Sequence, residues 1–169
     1  DVGNCLQKMV TELTKTGVNL KNEKPDIDLK QCHWLRGDLE TATTSHFPPS
    51  GNYEWAMSQV KTLKEDDHSG TARWVRAMTG THRDWNKLNE ERAIMRQKWE
   101  DYFQDFDVLL CPVARIAAHD HDHTKLASRT IQFDNETLNY WDVVGPWNSL
   151  SLVSYLPSTV APIGFTPSG

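Results

Sequence analysis

The chain has 169 residues and a formal net charge of −5, enough for one domain whose single core would bury roughly 70% of the surface its unfolded form exposes. No apolar run approaches the roughly 20 residues of a membrane span, which excludes a transmembrane segment. The acidic balance, with no basic stripe to offset it, excludes nucleic acid as a partner, because such binding rests on Lys and Arg neutralising phosphates.

Cys5, Cys32 and Cys111 are odd in number and widely spaced, so neither a disulfide framework nor a thiolate metal cage is expected. Reduced thiols in a cytoplasmic protein are the plain reading. The chain begins without Met or a signal peptide and closes on "IGFTPSG", a strand-like run followed by turn residues. The expectation is a single segment, residues 1–169, of a longer protein cut at both ends.

In chain order, Val2, Leu6, Met9, Val10 and Leu13 recur at helical spacing, Gly17 acts as a stop, and Val18 to Leu20 read as a short extended piece. After Pro25 a second helix starts near Ile27 or Asp28, with Leu29, Cys32, Leu35 and Leu39 on its apolar face, and "FPPSGN" breaks it. A third helix runs from Asn52 to about Lys64 with Trp55, Val60 and Leu63. A fourth runs from Thr71 to about Met78 with Trp74, Val75 and Met78, and the polar "KEDDHSG" between them is a loop.

The strongest periodic signal is "THRDWNKLNEERAIMRQKWEDYFQDF", where Trp85, Leu88, Met95, Trp99, Tyr102, Phe103 and Phe106 fall near one face of a long helix. "DVLLCPV" follows, a short continuous apolar run that predicts a buried strand, with Cys111 and Pro112 as a buried structural pair at its end. "RTIQFDNETLNYWD" predicts a hairpin, with Asp134-Asn135 as the turn and Leu138 and Tyr140 in the second strand. A helix from about Asp142, begun again near Gly145-Pro146, leads to "LPSTVAPIGF", another predicted buried strand. The seven tryptophans lie mainly on apolar helical faces, where core packing is their expected role.

The loop "HDHDH" invites a metal reading. His119, His121 and His123 would point the same way in an extended strand and could offer three imidazoles to one cation. The competing reading is a solvated, hydrogen-bonded loop, and no His or Cys pair at helical ligand spacing supports the ion. No "GxSxG" turn and no phosphate loop is present.

The combination "DFDVLLCPVARIAAHDHDH", a hairpin, "NYWD" and "LPSTVAPIGFTPSG" resembles the amidase signature family, and the opening helix with Gly17 extends the likeness over essentially the whole chain. The resemblance implies an α/β fold, here a helix-rich segment of a mixed sheet flanked by helices. It also implies hydrolysis of an amide carbon–nitrogen bond by a serine activated through a second serine and a lysine. The motifs carrying those three residues are absent from residues 1–169, so no catalytic residue is assigned and the chain alone is expected to be inactive. Its partners would be a small-molecule amide substrate and the remainder of the amidase domain, with no membrane, cofactor or metal.

Two substrate-binding residues carry over by resemblance. Arg92 stands where similar enzymes place an arginine that holds a substrate carboxylate, a task suited to a planar donor fork; the alternative is a helix-surface arginine paired with an acid such as Glu91. Asp142 resembles an acidic residue that assists in the same enzymes. Two further alternatives stay open for the whole chain. One is a non-catalytic binding or assembly module, associating as a homo-oligomer through exposed apolar helix faces; the other is a metal-binding protein using His119, His121 and His123.

Overall fold

The computed structural model describes residues 2–47 and 50–167. The helix-breaking Pro48 and Pro49, and the closing Ser168 and Gly169, lie outside them. Helix α1 spans Val2–Lys15 and ends where the sequence predicts, with Gly17 at φ 85°, a left-handed conformation that a side chain would disfavour. The extended piece expected at Val18–Leu20 forms no strand, and Val18 is exposed.

Helix α2, Leu29–Thr44, starts at Asp28, whose carboxylate accepts a hydrogen bond from the Gln31 N–H at 2.7 Å and satisfies one free donor of the first turn. Its predicted apolar face is the buried one: Cys32, Leu35 and Leu39 are buried and Leu29 is half-buried. Helix α3, Ser50–Gln59, is shorter than its sequence pattern predicts. Ala56 is its buried residue, while Trp55 is exposed and Val60 and Leu63 pack from beyond its end. Helix α4, Gly70–Thr79, is capped by Ser69, and α5, His82–Tyr102, by a reciprocal box in which Thr81 and Asp84 bond each other's backbone.

Two hydrophobic clusters hold these elements. In the larger, α2, α5 and α7 (Pro146–Ser154) converge through Cys32, Leu35, Leu39, Met95, Trp99, Leu150 and Val153. Trp99 lies at its centre, stacked on Phe103 at 5.5 Å and edge-on to Tyr102 at 5.9 Å. The smaller cluster joins α3 and α4 through Ala56, Val75 and Met78. Of the tryptophans expected in the core, Trp99 alone is fully covered; Trp34, Trp74, Trp85 and Trp147 are half-buried, and Trp55 and Trp141 are exposed. An indole is large enough to reach the core with one edge and leave the other in water.

The hairpin is present, β1 (Thr130–Phe133) against β2 (Glu136–Asn139), with Phe133 opposite Glu136. Asp134 and Asn135 both have positive φ, at 48° and 68°, as a two-residue type I′ turn requires. Tyr140 does not continue β2: it opens α6, Tyr140–Val144, because Asn139 caps that helix by accepting from the Trp141 N–H. The predicted restart at Gly145-Pro146 is the α6–α7 junction.

Two predicted buried strands are absent. Residues 107–113 and 157–165 run without strand structure, and β1 and β2 form the sheet among the described residues. Val108, Val113, Val160 and Phe165 are exposed, and Cys111 is only half-buried. An apolar run becomes a buried strand only when neighbouring strands satisfy its N–H and C=O groups, and no strand lies beside either run among the described residues. The fold is therefore mixed α/β and dominated by helices.

Candidate functional site

Three clusters of polar groups stand on this frame. The first borders a cavity of about 960 Å³ between α2, α4 and α5, lined among others by Asp38, Ala42, Arg73, Trp85, Leu88 and Glu91. Its size suits a small organic molecule. Asp38 is ion-paired with Arg73, whose guanidinium also lies 4.8 Å from the Trp34 ring, which a second cation, Lys30, approaches at 4.6 Å. Burial pushes the Asp38 carboxyl up to about 6, outweighing the pull of Arg73, and Glu91 adds to the upward push.

The second cluster contains Arg92. Its guanidinium donates to the Asn89 side-chain oxygen one turn earlier, lies 4.6 Å from the Tyr155 ring centroid and is 6.0 Å from that of Trp85, a cavity residue. Arg96 approaches the same tyrosine at 5.7 Å. Tyr155 is presented by the end of α7, where it adopts the left-handed conformation at φ 59°. Arg92 forms no ion pair with Glu91: the helix turns the two side chains to different faces, and stacking on Tyr155 takes the place of the pairing.

The third cluster surrounds Asp142, in the first turn of α6. Its carboxylate lies 3.9 Å from Nε2 of His33, a residue of α2 that is 8% exposed. The other ring nitrogen, Nδ1, is 3.1 Å from the hydroxyl of Ser149, which is fully buried on α7 and donates to the Gly145 carbonyl at 2.8 Å. Serine, histidine and aspartate thus lie in a row, but the serine has no solvent-facing side and its proton is committed to a backbone carbonyl. It is a fastening of α2 to α7 and cannot serve as a nucleophile. Arg92 and Asp142 are not brought together: they lie at opposite ends of α7, whose length is about 13 Å.

The histidine loop does not converge. His119 packs edge-on against Tyr140 at 5.6 Å, the rings of His121 and His123 are 6.2 Å apart, and no group of three His, Cys, Asp or Glu side chains forms a cation site among the described residues. Asp122 accepts from the Thr124 N–H at 2.8 Å, the short-range turn bond of a polar loop, and the Thr124 hydroxyl together with that N–H holds its carboxyl below the usual range.

Sequence reasoning singled out neither Asp38 nor His33 nor Ser149. The available signal was position: His33 follows Cys32 on the buried side of α2, and a buried polar side chain must find a partner.

A family model described as Amidase matches residues 53–169. The chain belongs to the amidase family. No curated protein and no solved structure matches it. The matched part takes in most of α3 and all of α4 to α7 with Arg92, Asp142 and Ser149, and leaves α1 and α2, with His33 and Asp38, outside it, a shorter span than the sequence likeness extending over essentially the whole chain.

The perturbed groups of the chain give its stability two opposed pH dependences. Burial, and secondarily Arg36, lower the His33 pKa below its ordinary 6.5, so the folded chain holds fewer protons there than the unfolded one and stability is lost as pH falls through 6.5. The Asp38 pKa is raised from 3.8 to about 6, so its contribution is fully present below 3.8 and is lost as pH rises through about 6. Thermal melts of the wild type and Asp38→Asn, taken from about pH 4 to about pH 7, should differ in slope: the variant lacks the loss on the rising side. Parallel profiles would show that Asp38 titrates normally.

Proposed function

We propose that this chain supplies substrate-pocket walls and scaffold of an amidase that hydrolyses a carbon–nitrogen amide bond through a serine acyl-enzyme, with the serine and its activating lysine contributed by amidase sequence outside residues 1–169. In that reaction the serine oxygen adds to the amide carbonyl and the C–N bond breaks as the amine leaves with a proton. Water then attacks the ester, releasing the acid and returning a proton to serine. Arg92 holds a carboxylate of the substrate and Asp142 assists from α6. Three free cysteines, two of them buried, fit the cytoplasm as its compartment.

The observation that carries this reading is the pair of exposed apolar runs. Val108, Val113, Val160 and Phe165 lie open within the family-matched region, and a sheet completed by further amidase sequence would cover them and satisfy their backbone groups. Arg92 supports it from the other side, since its one hydrogen-bond partner among the described residues is a neutral Asn89, which leaves donors for an anion. The same runs favour a second reading, an assembly module that associates through them. Light scattering that rises with concentration beyond the monomer mass would support it; a strictly monomeric chain counts against it.

The decisive assay has two arms. The 169-residue chain alone should leave simple amides intact; turnover abolished by a serine-directed reagent would overturn the reading. In a complete amidase containing these residues, Arg92→Ala should raise KM for a carboxylate-bearing amide roughly tenfold to a hundredfold with kcat little changed, the loss of one charge-assisted contact. An unchanged KM would remove Arg92 from the substrate.

A further inference from the structure

Asp142 is 60% exposed and has one ionisable neighbour within ion-pair distance among the described residues, the buried ring of His33. The surroundings of that ring fix which nitrogen faces the carboxylate. Ser149 donates its hydroxyl proton to the Gly145 carbonyl, so its oxygen is left to accept from the ring, which places the imidazole proton on Nδ1. The Gly145 backbone, beside the ring, also favours its protonated form. Gly145 itself lies so close that a Cβ there would stand 2.3 Å from the ring's Cε1. Held by Ser149 and packed closely against Gly145, the imidazole presents its bare Nε2 to the Asp142 carboxylate.

We propose that His33 is a positioning residue for Asp142: clamped by Ser149 and Gly145, it presents Nε2 to the Asp142 carboxylate and takes up the proton that decides whether that carboxylate is pinned or free. With the ring neutral, two acceptors face each other at 3.9 Å and, among the described residues, no other side chain holds the carboxylate. A proton taken from solvent onto Nε2 turns the contact into an imidazolium–carboxylate hydrogen bond that draws Asp142 toward α2.

Two charged groups act on the ring, Arg36 from its own helix and Asp142 from α6, while α7 contributes a hydroxyl and a backbone carbonyl. Burial and Arg36 oppose protonation, Asp142 favours it, and the balance keeps the ring neutral at pH 7. The carboxylate is therefore free at neutral pH and is captured on acidification. The functional consequence rests on the reading of Asp142 as a substrate contact: KM would change along the acid limb of the pH profile.

The test is an NMR pH titration of the 169-residue chain and its Asp142→Asn variant. Long-range proton–nitrogen correlations should show the neutral His33 ring protonated on Nδ1. The Asp142 Cγ resonance should step at the pH where His33 titrates, and Asp142→Asn should move the His33 titration further down. An Nε2-protonated ring, a Cγ signal without that step, or a His33 titration unmoved by Asp142→Asn would overturn the proposal. Asp142 is largely exposed, so its variant should fold. The two ideas fail differently: a step in Cγ with a KM indifferent to Asp142→Asn in the complete amidase would sink the substrate contact and leave the proton coupling standing.

Discussion

Trp99→Ala should lower the unfolding free energy by about 3–5 kcal/mol, the cost of removing a large buried aromatic whose cavity the surroundings fill only in part. Trp99 is 2% exposed and sits where α2, α5 and α7 meet, so its removal loosens every contact of the larger cluster at once. Urea unfolding followed by far-ultraviolet circular dichroism measures this directly, and an effect under about 1 kcal/mol would mean that the three-helix junction is not the core. Trp99→Phe sharpens the comparison. The indole Nε1 is buried without a hydrogen-bond partner, and an unsatisfied donor carries a desolvation cost of about 1–3 kcal/mol. Phenylalanine keeps most of the ring and removes that donor, so its loss should be far smaller than that of alanine.

Gly145→Ala should destabilise by about 1–3 kcal/mol or more, the cost of forcing a methyl group into filled space. The added Cβ would stand 2.3 Å from Cε1 of His33 and 2.7 Å from the Trp141 carbonyl. One neighbour is a clamped ring and the other is the backbone of α6, so neither can give way as the tip of a flexible side chain would. Gly145 also has ordinary helical φ and ψ, so the effect comes from crowding and owes nothing to backbone strain. Adding His33→Ala removes the ring from the contact, and the double variant should therefore cost less than the sum of the singles. Strict additivity in a double-mutant cycle would refute the contact.

Much of the helical part of this chain is legible in its residues. Periodicity over fourteen residues marks α1, Asp28 stands at the predicted start of α2 with its side chain as acceptor, and the long apolar stripe of α5 places Met95 and Trp99 in the core. The hairpin turn is equally local, since Asp134-Asn135 is a pair able to hold two positive φ values in succession. These signals work because the interactions that set them, caps, turns and one-turn spacings, lie within a few residues. The family, too, is carried by stretches of local sequence, from Asp105 to the hairpin and from Leu156 onward.

The tertiary structure decided what depends on distant partners. His33 and Ser149 are 116 positions apart, and Asp38 meets Arg73 across 35. No spacing rule joins such pairs, because packing of α2 against α7 and α4 brings them together. The same reason explains the two runs that read as buried strands. An apolar sequence states only that a segment gains by burial, and whether it becomes strand depends on neighbours that supply hydrogen bonds and cover. Val108 and Val160 lack those neighbours among the described residues and stand in solvent, while Val143 and Val153, no more hydrophobic, are enclosed by the helices around them.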